Sequence, residues 1–273
     1  MSDGLFESTG ISKRNTNSHI KTLHTRYRAK RNHPDGGGMR RISALVAALT
    51  VAVTALSSVG GAAAEPVGGF AAVPDVIAGT SPDGLGTWSV RYQRVEGGDP
   101  AIAKAINDVI DAEARGQVAT YEPSASKTHK WTFNSTGTLS FRSITASELF
   151  VGDYSTDMPN MPFHAVATRV FDTRSGILLS WDNIFVDKQA GLLRLSDQTK
   201  EILPTVYAAP RAGWQFGDEI APVDANFKYW IPAARGIELH FPDYQFGRGL
   251  PVITVPWAKI IDLVAPEFVA IAG

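Results

Sequence analysis

The side chains best suited to acid–base chemistry are the histidines, and three of the six lie beyond residue 64: His129, His164 and His240. None stands at ligand spacing from another, and none belongs to an H-E-x-x-H or H-x-E motif. Glu238 lies two residues from His240, about 7 Å away on the same face of an extended chain. Such a pair can act as a general acid and base, although a solvated strand edge is the simpler interpretation. His164 is a further, isolated acid–base candidate.

Motifs for other chemistries are missing from the sequence. There is no G-x-S-x-G nucleophile motif and no cysteine, and the glycine-rich segments lack the lysine of a phosphate-binding loop. Asp153 and Asp157 can bind calcium, but a flexible acidic loop explains them better. We therefore predict no catalytic residue set, no metal and no cofactor, and a binding protein is better supported than an enzyme.

Aromatic residues in turn-like segments are the better candidates for function. Trp214–Phe216 and Tyr244–Phe246 both have this character, and aromatic side chains are common contact anchors. Aromatic plugs that pack the loops onto a sheet explain them equally well. The loop Asp243–Leu250 is the most plausible contact surface, with these partner-binding candidates: Asp243, Tyr244, Phe246 and Arg248.

This loop lies inside a predicted hairpin over residues 235–257. Ile237, Leu239 and Phe241 alternate with polar residues, which predicts a strand with one dry and one wet face. The apolar run Val252–Val255 predicts the second strand. Gly247 and Gly249 permit the chain to reverse between them.

The rest of the chain predicts a mixture of strands and two helices. Asp99 and Pro100 are a helix cap and a first-turn proline, so a helix is expected from Pro100 to about Ala119. The other expected elements are a strand at 87–95, strands at 131–133 and 138–145 turning at 134–137, strands at 149–154, 163–172 and 177–181, a helix at 192–206, a strand at 224–231 and a short element at 257–264.

Charge is distributed unevenly along the chain. Residues 1–64 hold nine of the 26 basic and three of the 27 acidic side chains, which leaves 17 basic and 24 acidic ones, a net charge of about −7, in the remainder. Nucleic acid is therefore not an expected partner, because phosphate binding requires a basic surface.

The N-terminal part predicts export. Residues 1–38 are polar and without apolar periodicity, which predicts disorder. Residues 39–64 contain a basic start, an apolar run and a small-residue exit, the pattern of a secretory signal peptide cleaved between Ala64 and Glu65. Either Met39 is the true start, or residues 42–59 form a single membrane anchor; both place the rest of the chain outside the cell. The alanine-rich leader is typical of a high-GC actinobacterium.

Beyond the leader, residues 65–86 are rich in Gly, Ala, Pro and Ser and are expected to be a flexible linker. The segment Asn226–Gln245, followed by Val252–Trp257, resembles the RsiV-like C-terminal domain family. Phe163–Ala165 and Phe171–Phe185 are similar to the hairpin upstream in that family. Val90–Arg115 is similar to the module that precedes this domain in PdaC-type envelope proteins.

The resemblance implies an α+β fold with helices packed on antiparallel sheets. It divides the chain into two small, intimately packed subdomains, a PdaC-like module at 87–160 and an RsiV-like domain at 161–273. The family includes secreted mycobacterial antigens and the extracytoplasmic part of a lysozyme-sensing anti-sigma factor. Here the loop Tyr244–Pro251 is shorter than in the family and lacks its second tyrosine, so no partner surface can be carried over to it.

Three functions remain open at this point. The first is a secreted or cell-envelope, non-catalytic binding protein whose partner is an extracellular protein such as lysozyme, or a cell-wall glycan. The second is a secreted, esterase-like hydrolase with an unrecognised site. The third is a membrane-anchored signal transducer of the anti-sigma type, against which the absence of an amphipathic helix in residues 1–38 counts.

Overall fold

The computed structural model describes residues 68–122, 125–208 and 215–273. The predicted extension and signal peptide, the cleavage position between Ala64 and Glu65, and Trp214 lie outside the described residues. In the described part of the chain, no helix combines the length and the apolar character needed to cross a membrane.

The N-terminal half is built on a five-stranded sheet with the strands in chain order. The first two strands form a hairpin, a helix then crosses over to a third strand parallel to the second, and the last three strands form an antiparallel meander. The elements are β1 (Phe70–Thr80), β2 (Gly86–Gly97), α1 (Pro100–Tyr121), β3 (Trp131–Arg142), β4 (Thr145–Thr156) and β5 (Phe163–Asp172).

Helix α1 begins where the sequence predicts it. The Asp99 carboxylate accepts hydrogen bonds from the backbone N–H groups of Ala101 and Ile102 at 2.8 and 3.2 Å, which satisfies two of the free donors of the first turn. Ile106 and Ile110 are fully buried on the helix face that packs on the sheet. The helix therefore covers one face of the five-stranded sheet.

The C-terminal half has a smaller antiparallel sheet, order β6-β7-β8, with a long helix against it. Its elements are α2 (Trp181–Ile184), α3 (Lys188–Val206), β6 (Trp230–Ala233), β7 (Gly236–His240) and β8 (Val252–Pro256). Short 3-10 turns occupy Asp218–Ile220, Asp224–Asn226, Trp257–Lys259, Ile261–Leu263 and Pro266–Ala272.

Two hydrophobic clusters fill these layers. The first lies between α1 and the five-stranded sheet and contains Phe133, Phe150 and Phe171. The second lies around α3 and the three-stranded sheet and contains Leu195 and Phe241. The predicted α+β class is confirmed, although the larger sheet is mixed because β2 and β3 pair in parallel.

The predicted linker at 65–86 is wrong over most of its length. Phe70–Thr80 is a strand, paired residue by residue with β2 from Phe70 opposite Gly97 to Thr80 opposite Thr87. Small residues conceal this strand because they weaken the apolar alternation, and pairing with β2 compensates for their low strand propensity.

The turn predicted at 134–137 is also wrong. Strand β3 runs through it, and the chain turns instead at Ser143, whose φ is 37°. Position 137 of this strand is a glycine because a side chain there would collide with the Glu148 carboxylate and the Phe150 ring. Glycine therefore marks a close approach of neighbouring side chains here, not a reversal of the chain.

Other boundaries also differ from the prediction. The strand expected at 177–181 is a single bridge between Leu178 and Phe171, followed by α2 from Trp181. The strand expected at 224–231 is a 3-10 turn at Asp224–Asn226 followed by β6. The subdomain boundary at 160/161 falls between β4 and β5, although these strands pair from Thr145 opposite Asp172 to Tyr154 opposite Phe163. β5 therefore belongs to the same sheet as β4, and it lies at its predicted bounds.

Candidate functional site

The segment Phe241–Pro251 connects β7 to β8, and we call it the contact loop. Asp243 fixes its start to the five-stranded sheet: one carboxylate oxygen accepts from the backbone N–H of His164 at 3.0 Å. The other oxygen accepts from the backbone N–H of Gly249 at 2.6 Å and closes the loop on itself. Arg248 donates to the carbonyl of Pro162 at 2.7 Å. Asp243 and Arg248, both predicted contact residues, therefore hold the loop in place.

The C-terminal layer holds the same loop from the other side. The Gln245 side-chain amide donates to the carbonyls of Glu219 and Asn226, at 2.9 and 3.0 Å. The Tyr207 hydroxyl donates to the carbonyl of Arg248 at 2.9 Å. These bonds make the loop a fixed surface, although it contains no regular secondary structure.

Tyr244 is the aromatic side chain that this loop presents to solvent. It is 53% exposed, and its ring centroid lies 5.7 Å from that of Phe163. Its φ of 71° is in the left-handed region, which disfavours a bulky side chain. Its N–H donates to the carbonyl of Gly247 at 2.7 Å, which closes a tight turn and maintains this conformation.

Phe246 was predicted as a contact residue, and the structure contradicts this. It is 3% exposed and belongs to the C-terminal hydrophobic cluster. Its ring packs edge-on against Phe241 at 4.8 Å and Phe216 at 6.1 Å. Phe246 is therefore the plug that fastens the loop, and of these two aromatic side chains only Tyr244 remains available to a partner.

Two exposed acidic side chains lie on strand β4 and just beyond it. Asp153 lies 4.0 Å from the His164 imidazole, and Asp157 lies 2.8 Å from the His129 imidazole. Each carboxylate thus faces its own histidine, and the two do not converge on one cation. Within the described ranges, no three His, Asp or Glu side chains are arranged to hold a metal ion.

The predicted acid–base pair, Glu238 and His240, does not lie on a wet face. β7 is the central strand of its sheet, and His240 is only 8% exposed. The His240 Nε2 lies 3.6 Å from the Glu238 carboxylate, and this contact lowers the pKa of Glu238. His164 belongs to the other sheet, at the contact loop. The three acid–base candidates therefore do not form one site.

Glu148 was not among the predicted site residues, yet it is the most unusual titratable group in the described structure. It is fully buried on β4, between Ala146 and Phe150 on the face that packs under α1. One oxygen accepts from the Gln93 N–H at 3.3 Å, and no group in the described part of the chain bonds the other. Burial raises its pKa to about 8. The sequence signal for this buried acid was its place between Ala146 and Phe150, the apolar residues two positions away on the same strand face.

Comparisons with known proteins identify the fold alone. No family model and no curated protein matches the sequence. The crystal structure of a DUF3298-family member from Bacteroides fragilis is similar with a TM-score of 0.52 and 11% identity, over 74% of this chain and 95% of that one. A DUF3298-family protein from Pseudomonas aeruginosa PAO1 gives a TM-score of 0.47 and 10% identity, over 72% and 94%. The RsiV-like resemblance stays a prediction.

Proposed function

We propose that this protein is an exported, non-catalytic envelope protein that binds an extracellular protein through the contact loop. The observation that carries the proposal is Tyr244, an aromatic side chain half exposed on a loop that is bonded both to β5 and to the turn Asp218–Ile220. Catalysis has no comparable support, because the Glu238–His240 pair is largely enclosed in its sheet.

The rigidity of the loop favours tight binding. Ordering a flexible surface costs about 0.5–1.5 kcal/mol for each side chain immobilised on association. Here Asp243, Gln245 and Arg248 are already bonded before any partner arrives. Burial of the Tyr244 ring can therefore contribute to affinity with little ordering cost, as expected of an interface hot spot.

Charge favours a cationic partner. The chain beyond residue 64 carries a net charge of about −7. On β4, the exposed Asp153 carboxylate lies 4.0 Å from the imidazole of His164, whose backbone N–H bonds Asp243 of the loop. A negative surface accelerates association with a positive protein by long-range attraction, which salt weakens.

Calorimetry with lysozyme as the cationic protein tests the proposal. We expect binding that weakens as salt increases, and a loss of about tenfold or more in affinity for Tyr244→Ala. Asp243→Ala releases the loop from β5 and should weaken binding even though Tyr244 is retained. The matched control is Val186→Ala, which removes an apolar side chain that is 73% exposed and far along the chain from the loop.

Two results would count against the proposal. Equal affinities of the unmodified protein and Tyr244→Ala would remove the loop as the contact surface. No binding heat with lysozyme at low or high salt would remove the cationic protein as the partner class.

A further inference from the structure

The two edges of the five-stranded sheet, β1 and β5, differ in how their backbone groups are bonded. Pro74 of β1 lies opposite Gln93, whose N–H bonds Glu148 on the far side, so Pro74 points away from β2. Proline has no N–H to offer at this edge. The next outward N–H, of Val76, donates to the Asp75 carboxylate at 2.7 Å. These two features block strand pairing at the β1 edge.

The β5 edge has a row of unbonded backbone groups instead. Its even-numbered residues point away from β4, as the bond from the His164 N–H to Asp243 shows. At the other end, the Arg169 guanidinium bonds the Thr168 C=O at 2.7 Å. Between these bonds, the described structure gives no partner to the His164 C=O, to the N–H and C=O of Val166, or to the Thr168 N–H. This row spans about 13 Å of strand and is what strand addition uses.

Two clefts border the free row. The first, of about 220 Å³, lies between residues 165–167 and helix α1, where Gly116 lines it. The second, of about 200 Å³, lies beside residues 168–170. Tyr229 lines the first cleft, and its chain neighbours Lys228 and Trp230 line the second. The clefts therefore follow one another along the strand, and we call them together the β5 groove.

The charges of the β5 groove decide which segment suits it. Glu113 is ion-paired with Arg169, and Asp224 lies 2.9 Å from the Lys188 ammonium. The Lys228 ammonium lies over an aromatic ring, 4.6 Å from its centroid, and pairs with no carboxylate in the described ranges. The groove thus has one uncompensated charge, which is positive. A neutral or acidic segment fits it, whereas a basic side chain next to Lys228 is repelled.

The contact loop lies at the start of this groove. Its Asp243 holds the first outward N–H of β5, and the Tyr244 ring lies 5.7 Å from the ring of Phe163. A partner that covers Tyr244 therefore reaches the free row directly. We propose that the protein bound by the contact loop adds an extended segment to β5 as a sixth strand, with backbone bonds to residues 164–168. This inference rests on the proposed function and names its second contact.

Hydrogen exchange measured by NMR on the whole protein tests the proposal. Without a partner, the amides of Val166 and Thr168 should exchange faster than those of Ala165 and Ala167, which point toward β4. Saturation with lysozyme should slow the first two by about tenfold or more. Lysozyme binding that Tyr244→Ala weakens, with unchanged exchange at Val166 and Thr168, would overturn strand addition and leave the contact loop as proposed.

A peptide probe tests the edge independently of lysozyme. The blocked peptide acetyl-Thr-Val-Glu-Val-Thr-amide has strand-forming residues and one acid. We expect it to shift the amide signals of Val166 and Thr168 with a Kd on the order of 1 mM. The same peptide with N-methyl groups on its three central residues cannot bond through either edge and should cause no shift. Lysine in place of the glutamate should weaken binding, because of Lys228.

Gly116 offers a variant that fills the groove and leaves the strand edge intact. A Cβ there would meet no atom within 4 Å. Gly116→Leu should retain or raise the melting temperature, because glycine weakens a helix interior, and should abolish the peptide shifts. Arg115→Leu, at an exposed position on the same helix, is the matched control.

The remaining outcomes also decide the matter. Equal binding of the N-methylated peptide, or full binding by Gly116→Leu, would show that the peptide does not pair with β5. Equally slow exchange of all four amides in the free protein, or no response to either probe, would show that the edge is closed. Peptide shifts without lysozyme binding would support the edge and overturn only the partner class. Because Tyr244→Ala should leave the peptide titration unchanged, the two failures are distinguishable.

Discussion

Glu148 is a carboxylic acid without exposed surface, close to strands β2 and β3 as well as on β4. The only described bond to its carboxylate is a long one, from the Gln93 N–H, so its charged form is poorly stabilised. It therefore keeps its proton up to a pH near 8, whereas an exposed glutamate loses it near 4.5. Folding and proton binding are coupled at this residue.

This coupling predicts that stability falls as pH rises. Between about pH 4.5 and 8 the unfolded chain has released the Glu148 proton and the folded chain retains it. The contribution of Glu148 to the free energy of unfolding is thus full below pH 4.5, declines by up to about 1.4 kcal/mol per pH unit, and is lost above pH 8. Urea unfolding at a series of pH values measures the slope.

Glu148→Gln should remove that slope, because an amide of the same shape does not titrate. We expect this variant to be more stable than the unmodified protein at pH 8. Glu96→Gln, at an exposed position, is the control and should leave the slope unchanged. Parallel pH profiles for Glu148→Gln and the unmodified protein would contradict the assignment.

At the scale of elements, the separation of β2 from β3 organises the N-terminal half. Their parallel pairing ends at Arg91 opposite Thr136, and side chains then replace strand-to-strand bonds. The Asn107 amide of α1 bonds both the N–H and the C=O of Val95, each at 2.9 Å. The side-chain carbonyl of Gln93 accepts from the Leu139 backbone N–H at 2.7 Å. Helix α1 thus completes the hydrogen bonding of an opened sheet.

Asn107→Leu should therefore destabilise the protein although it adds apolar surface to a buried site. It leaves the N–H and C=O of Val95 without partners, at about 1–3 kcal/mol for each group. At pH 4 a buried aspartic acid is protonated and offers both a carbonyl acceptor and an O–H donor, so Asn107→Asp should lose less stability than Asn107→Leu. Urea unfolding at pH 4 ranks the three proteins, and equal stabilities would show that water replaces the amide.

At the scale of the whole molecule, β5 joins the two hydrophobic clusters. Phe171 packs in the cluster under α1, and the next residue back, Val170, packs in the C-terminal cluster. The Thr168 hydroxyl accepts from the backbone N–H of Trp230 at 2.9 Å, which ties the strand to β6. Neither cluster is complete without this strand.

A fragment that stops at residue 160 should consequently fail to fold cooperatively. It lacks β5, which pairs along β4 from Thr145 to Tyr154, and would expose that strand's edge to aggregation. A fragment ending at residue 180 restores the strand and should recover part of the near-ultraviolet circular dichroism. Cooperative thermal unfolding of the shorter fragment would contradict the role given to β5.

Local patterns in the sequence were sufficient for much of the fold. Asp99-Pro100 identified the start of α1, because capping and the fixed φ of proline act within a few residues. β5 was predicted at its observed bounds, and the β7–β8 hairpin was predicted around its glycine-containing loop. These elements depend on neighbours along the chain, which a single sequence displays.

Pairing and burial were decided only by the tertiary structure. Phe70–Thr80 is a strand because β2 lies beside it. Tyr244 and Phe246 look alike in the sequence as loop aromatics, but packing buries Phe246 and leaves Tyr244 exposed. Gln117 on α1 and Val166 on β5 line one cleft. Local sequence patterns determined many of the strands and helices of this protein. Its candidate sites arise where distant segments meet, since hydrogen-bond partners and solvent access are properties of the packed molecule.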